Sequence, residues 1–150
     1  MSVIQVNDKQ FEPYLTATQI DEQVQRLGNE INRDYKSKKP LFIAILNGSF
    51  MFASDLFKKL TIDCEICFIK LASYKGTKST GQVITSIGLD ATLTDRDVII
   101  IEDIVDTGKT LTEFLPQLVN QQPTSLKIVA LLHKPEATTH PIKIDRKSVV

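Results

Sequence analysis

Val98-Ile-Ile-Ile-Glu102-Asp103-Ile-Val-Asp106-Thr107-Gly108-Lys109-Thr110-Leu111 is an apolar run that ends in two adjacent carboxylates and then turns into a helix. Ligands of open α/β sheets bind at the carboxyl ends of strands, which is where Glu102 and Asp103 fall. Thr107 to Thr110 supply backbone N–H groups, two hydroxyls and a glycine at a helix start, a pattern suited to phosphate. Gly108-Lys109-Thr110 copies the end of a nucleotide-binding P-loop, but G-x-x-x-x-G-K-T needs glycine where Asp103 stands, and that reading is excluded. The plain alternative is a solvated acidic loop with a helix cap. Against it stands the mutual repulsion of Glu102, Asp103 and Asp106, crowded at one strand end unless something cationic or hydroxylic sits among them.

Outward from this stretch the pattern is that of an α/β protein. Asp97–Glu102 is the strongest strand, and a helix from Lys109 to Asn120 follows, with Pro116 predicting a kink or an early stop. Leu126–Leu132 is a final buried strand. Upstream, Leu41–Leu46 reads as a strand buried on both faces, Asn47-Gly48-Ser49 as a turn, and Phe50–Leu60 as a short amphipathic helix. An earlier helix is predicted to start at an N-cap on Thr18, with Asp21 and Glu22 in its first turn. Ile20, Val24, Leu27 and Ile31 recur along it at helical spacing, Lys36, Lys38 and Lys39 sit near its far end, and Pro40 closes it. Residues 64–71 and 83–88 read as two more strands, separated by the polar stretch Ser73-Tyr74-Lys-Gly-Thr-Lys-Ser79-Thr80-Gly81, which reads as a mobile loop. Strands and helices in this order predict a parallel sheet covered on both faces.

At 150 residues the chain is expected to form one domain, residues 1–150. Eighteen basic residues balance eighteen acidic ones, which speaks against a protein that holds nucleic acid by charge and for a small anion gripped locally. Cys64 and Cys67 form C-x-x-C, but in a strand positions i and i+3 point to opposite faces, and no second pair completes a zinc site. Two reduced thiols are expected, which suits the cytoplasm. The N-terminus does not have the pattern of a signal peptide, and no apolar run approaches the length of a membrane span.

Val98–Leu111 resembles the signature with which the type I phosphoribosyltransferases bind phosphoribosyl pyrophosphate (PRPP), an apolar strand followed by E-D-x-x-D-T-G-x-T. Three further segments resemble the hypoxanthine–guanine branch: Leu46-Asn47-Gly48-Ser49-Phe50-Met51-Phe52 its pyrophosphate loop, Ser73-Tyr74 with Ser79-Thr80-Gly81 its mobile catalytic loop, and Leu131-Leu132-His133-Lys134 its base-recognition strand. The similarity runs in order over roughly residues 10–145. It implies a Rossmann-like phosphoribosyltransferase fold and a pentosyltransferase of purine salvage, which makes IMP or GMP and pyrophosphate from hypoxanthine or guanine and PRPP. It also implies Mg²⁺, no nucleic acid or membrane partner, and a homodimer or homotetramer. Glu102 and Asp103 would bind the ribose hydroxyls, if need be through the metal, and Asp106 would face N7 of the purine as general base or acid. Thr107, Gly108, Lys109 and Thr110 would hold the 5-phosphate. Asn47, Gly48 and Ser49 would pack against pyrophosphate, with a cis peptide expected at Leu46–Asn47. Ser73 and Tyr74 belong to the substrate-covering loop, and Lys134 would donate to the purine 6-oxygen. The resemblance gives His133 no role.

The chain also departs from that pattern. Asn47 stands where some relatives have Lys. The stacking aromatic, the G-Y-x-L-D-Y-like segment and the later Arg of the relatives have no counterpart in Lys143-Ile-Asp145-Arg146-Lys147-Ser148-Val-Val150. The expectation is a truncated C-terminal part, with weak binding of nucleoside monophosphate and slow turnover. A PRPP- or nucleotide-binding regulator and an inactive truncated fold are the alternatives.

Overall fold

A computed structural model describes residues 2–73, 83–87, 91–140 and 142–148. Its elements are strands β1 (Ile4–Val6) and β2 (Lys9–Phe11), helix α1 (Ala17–Asp34), strand β3 (Leu41–Leu46), helix α2 (Phe50–Phe57), and strands β4 (Glu65–Ser73), β5 (Val83–Ile87) and β6 (Asp97–Val105). Helix α3 (Lys109–Val119), strand β7 (Ser125–His133), a 3-10 turn at Pro135–Ala137 and the short strand β8 (Arg146–Lys147) follow. The main sheet has the order β5-β4-β3-β6-β7-β8, parallel throughout except for the antiparallel pair β4 and β5.

Alternation along the central strands builds two cores. Phe42, Ala44, Ile99 and Ile101 face α1 and α2, meeting Val24, Leu27, Ile31, Phe52 and Leu56. Leu41, Ile43, Val98 and Ile100 face the other way, meeting Leu111, Phe114 and Leu118 of α3. The expected sheet with helices on both faces is therefore present. Cys64 packs at the first core and Cys67 at the second, so the two thiols lie on opposite faces and are not joined as a disulfide.

The first helix begins two residues earlier than the sequence suggests. Its N-cap is Thr16, whose hydroxyl accepts from the Gln19 amide at 3.1 Å while the Gln19 side chain accepts from the Thr16 amide at 2.8 Å. Glutamine at the third helical position reaches back to the cap, whereas Asp21, three residues after Thr18, is too short for that reciprocal pair. The first turn consequently carries no acid. Helix α3 passes through Pro116 and ends at Val119. Pro116 and Thr112 are both exposed, so water is available to the Thr112 carbonyl that loses its partner.

Candidate active site

The strand order reverses at β3. From there the chain moves outward to β4 and β5, then returns to lay β6 against the other side of β3. Such a reversal opens a crevice at the carboxyl ends of the two strands. Pairing of β3 with β6 stops at Ala44↔Ile101, but β6 stays paired with β7 through Val105↔His133. Glu102 and Asp103 thus lie inside β6, past the point where it loses β3 as a neighbour, whereas the sequence predicts the strand to end at Glu102.

Neighbours in a strand point to opposite faces, and the two carboxylates divide accordingly. Asp103 faces the turn after β3: a Cβ built on Gly48 would stand 2.5 Å from its Oδ2 and 2.8 Å from its Cγ. Only glycine lets that backbone approach the carboxylate so closely. The Leu46–Asn47 peptide is cis, as the resemblance implies. Asn47 and Gly48 are exposed, whereas Ser49 is buried, its amide and hydroxyl both donating to the Ile45 carbonyl, at 3.3 and 2.6 Å. Ser49 supports the turn from beneath and offers neither group to a ligand.

Glu102 faces the α3 side, where a cleft of about 120 Å³ is lined by Glu102 and by the run from Ile104 to Leu111. Gly108 starts α3 with φ +81°, and a side chain there would run into the His140 carbonyl and the Ile142 Cδ1. Glycine is required on both counts. Asp106, Thr107, Lys109 and Thr110 are exposed around the helix start. The Thr107 hydroxyl accepts from the Lys109 amide at 3.3 Å. A neighbouring loop grips this turn: Lys134 N donates to Val105 O at 2.9 Å, and the amides of Thr139 and His140 donate to Thr107 O at 3.1 and 3.0 Å. Because Val105 and His133 are register partners, Asp106 and Lys134 leave the sheet side by side.

Burial, with the Asp103 charge added, pushes the Glu102 carboxyl up to about 8. A proton, a cation or hydroxyl donors would relieve that cost. Among the described residues no three metal-ligating side chains converge. Because the two carboxylates point to opposite faces of β6, either one alone, and not the pair, could lend an oxygen to a hard divalent cation that keeps its other places for water and substrate oxygens. The folded carboxyl binds its proton more tightly than the unfolded one, so its favourable contribution is complete below about pH 4.5 and is lost as pH rises to about 8. Without ligand, Glu102→Gln should therefore be more stable than the parent at about pH 9 by on the order of a few kcal/mol, with little advantage at about pH 4. Urea unfolding at the two pH values checks this; a stability difference independent of pH would refute it.

Ser73 ends β4, and Tyr74, like the rest of the loop through Gln82, lies outside the described residues. Sequence reasoning gave no role to His133 or Thr138, which the structure places against the Asp106 turn. A wider cleft of about 470 Å³, lined by Arg33, Tyr35, Lys127 and Arg146 among others, lies at the opposite ends of the strands. Its charges are largely matched, Arg146 with Asp34 and Lys127 with Asp145.

The profile of the family described as "Phosphoribosyl transferase domain" matches residues 13–149. A hypoxanthine-guanine phosphoribosyltransferase of Lactococcus lactis is 39% identical over 140 residues, covering 92% of this chain and 76% of the relative. A hypoxanthine phosphoribosyltransferase of Buchnera aphidicola is 41% identical over 134 residues, covering 87% of this chain and 76% of the relative. The crystal structure of a hypoxanthine-guanine phosphoribosyltransferase from Bacillus anthracis superposes with a TM-score of 0.85 at 33% identity, over 92% of this chain and 82% of the other.

Proposed function

Because this chain belongs to the phosphoribosyltransferase family, in its hypoxanthine and hypoxanthine–guanine branch, we infer that it is a purine-salvage pentosyltransferase that forms IMP or GMP and pyrophosphate from a 6-oxopurine and PRPP. The observation that carries this reading is the crevice at the strand reversal. There an exposed turn with a carboxylate against its glycine stands beside a helix start shaped for phosphate.

In this assignment the 5-phosphate lies on the turn Thr107–Thr110, held by backbone N–H groups and hydroxyls at the positive end of α3. Glu102 and Asp103 hold the ribose hydroxyls, and the exposed Asn47 and Gly48 face the pyrophosphate. Asp106 stands at N7 of the purine and Lys134 at its 6-oxygen. As N9 bonds to C1 of the ribose, the bond from C1 to the pyrophosphate oxygen breaks and the N7 proton passes to the Asp106 carboxylate. Glu102 or Asp103 would help to hold Mg²⁺, which would offset charge on the leaving pyrophosphate. Ser73 and Tyr74 keep a substrate-binding role on the resemblance alone. We further place the protein in the cytoplasm as one domain of a homodimer or homotetramer. No helix among the described residues is long and apolar enough to cross a membrane.

The test is direct. Purified chain, PRPP, Mg²⁺ and hypoxanthine should yield IMP and pyrophosphate in equal amounts. A chain that binds PRPP and IMP but forms no product would be a nucleotide-binding regulator instead.

A further inference from the structure

Three consecutive carbonyls at the end of β6 are gripped by the loop from Lys134 to His140. Val105 O accepts from the Lys134 amide, and Thr107 O accepts from the amides of Thr139 and His140. The middle carbonyl, that of Asp106, is met by a side chain: the Thr138 hydroxyl, at 3.0 Å. The same hydroxyl oxygen stands 3.0 Å from the Lys134 carbonyl. Thr138 thus touches the peptide units of both residues placed above at the polar edge of the purine.

Its direction is set from behind. His133 Nε2 lies 3.3 Å from the Thr138 hydroxyl, and the Lys147 ammonium lies 3.2 Å from His133 Nδ1. An ammonium only donates, so Nδ1 accepts and Nε2 carries the ring proton. The ring then donates to the Thr138 oxygen, and the single hydroxyl hydrogen is left for the two carbonyls. Lys147 belongs to β8, whose backbone pairs with β7 at Ala130↔Lys147, so the chain of bonds begins on the sheet itself.

We propose that the Thr138 hydroxyl is a positioning group that holds Asp106 and Lys134 at the spacing a 6-oxopurine needs, with His133 and Lys147 aiming it. The proposal rests on the placement of Asp106 and Lys134 given above. Neighbouring amide-to-carbonyl bonds survive any side-chain replacement; this one does not. Its loss frees the Asp106 peptide relative to Lys134 while leaving the phosphate turn anchored through Thr107. Small misplacements of positioned groups are costly in rate and affinity.

Thr138→Val removes the hydroxyl and keeps the shape, and Thr138→Ser keeps the hydroxyl. The Val variant should bind IMP about tenfold more weakly and ribose 5-phosphate within about twofold of the parent. Amide hydrogen exchange at Lys134, Thr139 and His140 should quicken, and Thr138→Ser should restore both readouts. Equal loss for the two ligands, unchanged exchange, or no recovery in Thr138→Ser would overturn the proposal. If Thr138→Val does not fold, Lys147→Met must shift both readouts in the same direction by a smaller amount, and no shift overturns it equally. Exchange needs no ligand, so it decides the clasp by itself. A parent chain that binds IMP no better than ribose 5-phosphate would instead sink the purine reading.

Discussion

Asp106→Asn is expected to lower turnover by on the order of 10²–10⁴ while leaving PRPP affinity within about threefold. Asparagine has the size of aspartate and keeps an acceptor oxygen, so the turn between β6 and α3 has no reason to change. The bonds that hold that turn run through the carbonyls of Val105, Asp106 and Thr107, none of which the substitution touches. What is lost is the basic oxygen for the purine proton. Asp106 is exposed at the mouth of the crevice, within reach of an incoming base, whereas Glu102 and Asp103 are partly buried behind it. Single-turnover rates beside PRPP dissociation constants separate the two effects. Parallel loss in both would make Asp106 a binding group and remove the proton transfer from the mechanism.

What could be read from the sequence follows burial. Leu41–Leu46 was legible to the residue because both faces are covered and every position is apolar or nearly so. The turn into α3 was legible because a glycine between threonines after an apolar strand marks a helix start. The hairpin of β1 and β2 was not read: its strands have three residues each, too short for a period, and both lie exposed. β8 was missed because two charged residues pair through their backbone alone, while their side chains serve other contacts, such as Arg146 with Asp34 and with the face of Tyr35. The extension of β6 past Glu102 to Val105 was hidden for a related reason. Backbone pairing with β7 keeps it straight, and carboxylates in a strand carry no signal of that partner. Thr138 and His133 are joined to the site only by folding, since 32 residues separate Thr138 from Asp106 in the chain.

Lys134 should set the choice of base, with hypoxanthine preferred to adenine by up to roughly 10⁴ in kcat/KM. A lysine ammonium only donates. Opposite a 6-oxo group it finds an acceptor; opposite the 6-amino group of adenine it meets another donor, and the pair makes no hydrogen bond. The backbone here gives the ammonium a fixed base to work from. The Lys134 amide donates to Val105 O at 2.9 Å, and the Lys134 carbonyl accepts from the Ala137 amide at 3.2 Å and lies 3.0 Å from the Thr138 hydroxyl. Its side chain is exposed beside the Asp106 turn. Lys134→Ala should therefore shrink the preference to about a hundredfold or less, chiefly by lowering kcat/KM for hypoxanthine. Affinity for PRPP, whose phosphates are assigned to Thr107–Thr110 and to Asn47 and Gly48, should hardly move. Competition between the two bases for limiting PRPP gives the ratio directly. A preference for adenine in the parent, or an unchanged ratio in the variant, would take base selection away from Lys134.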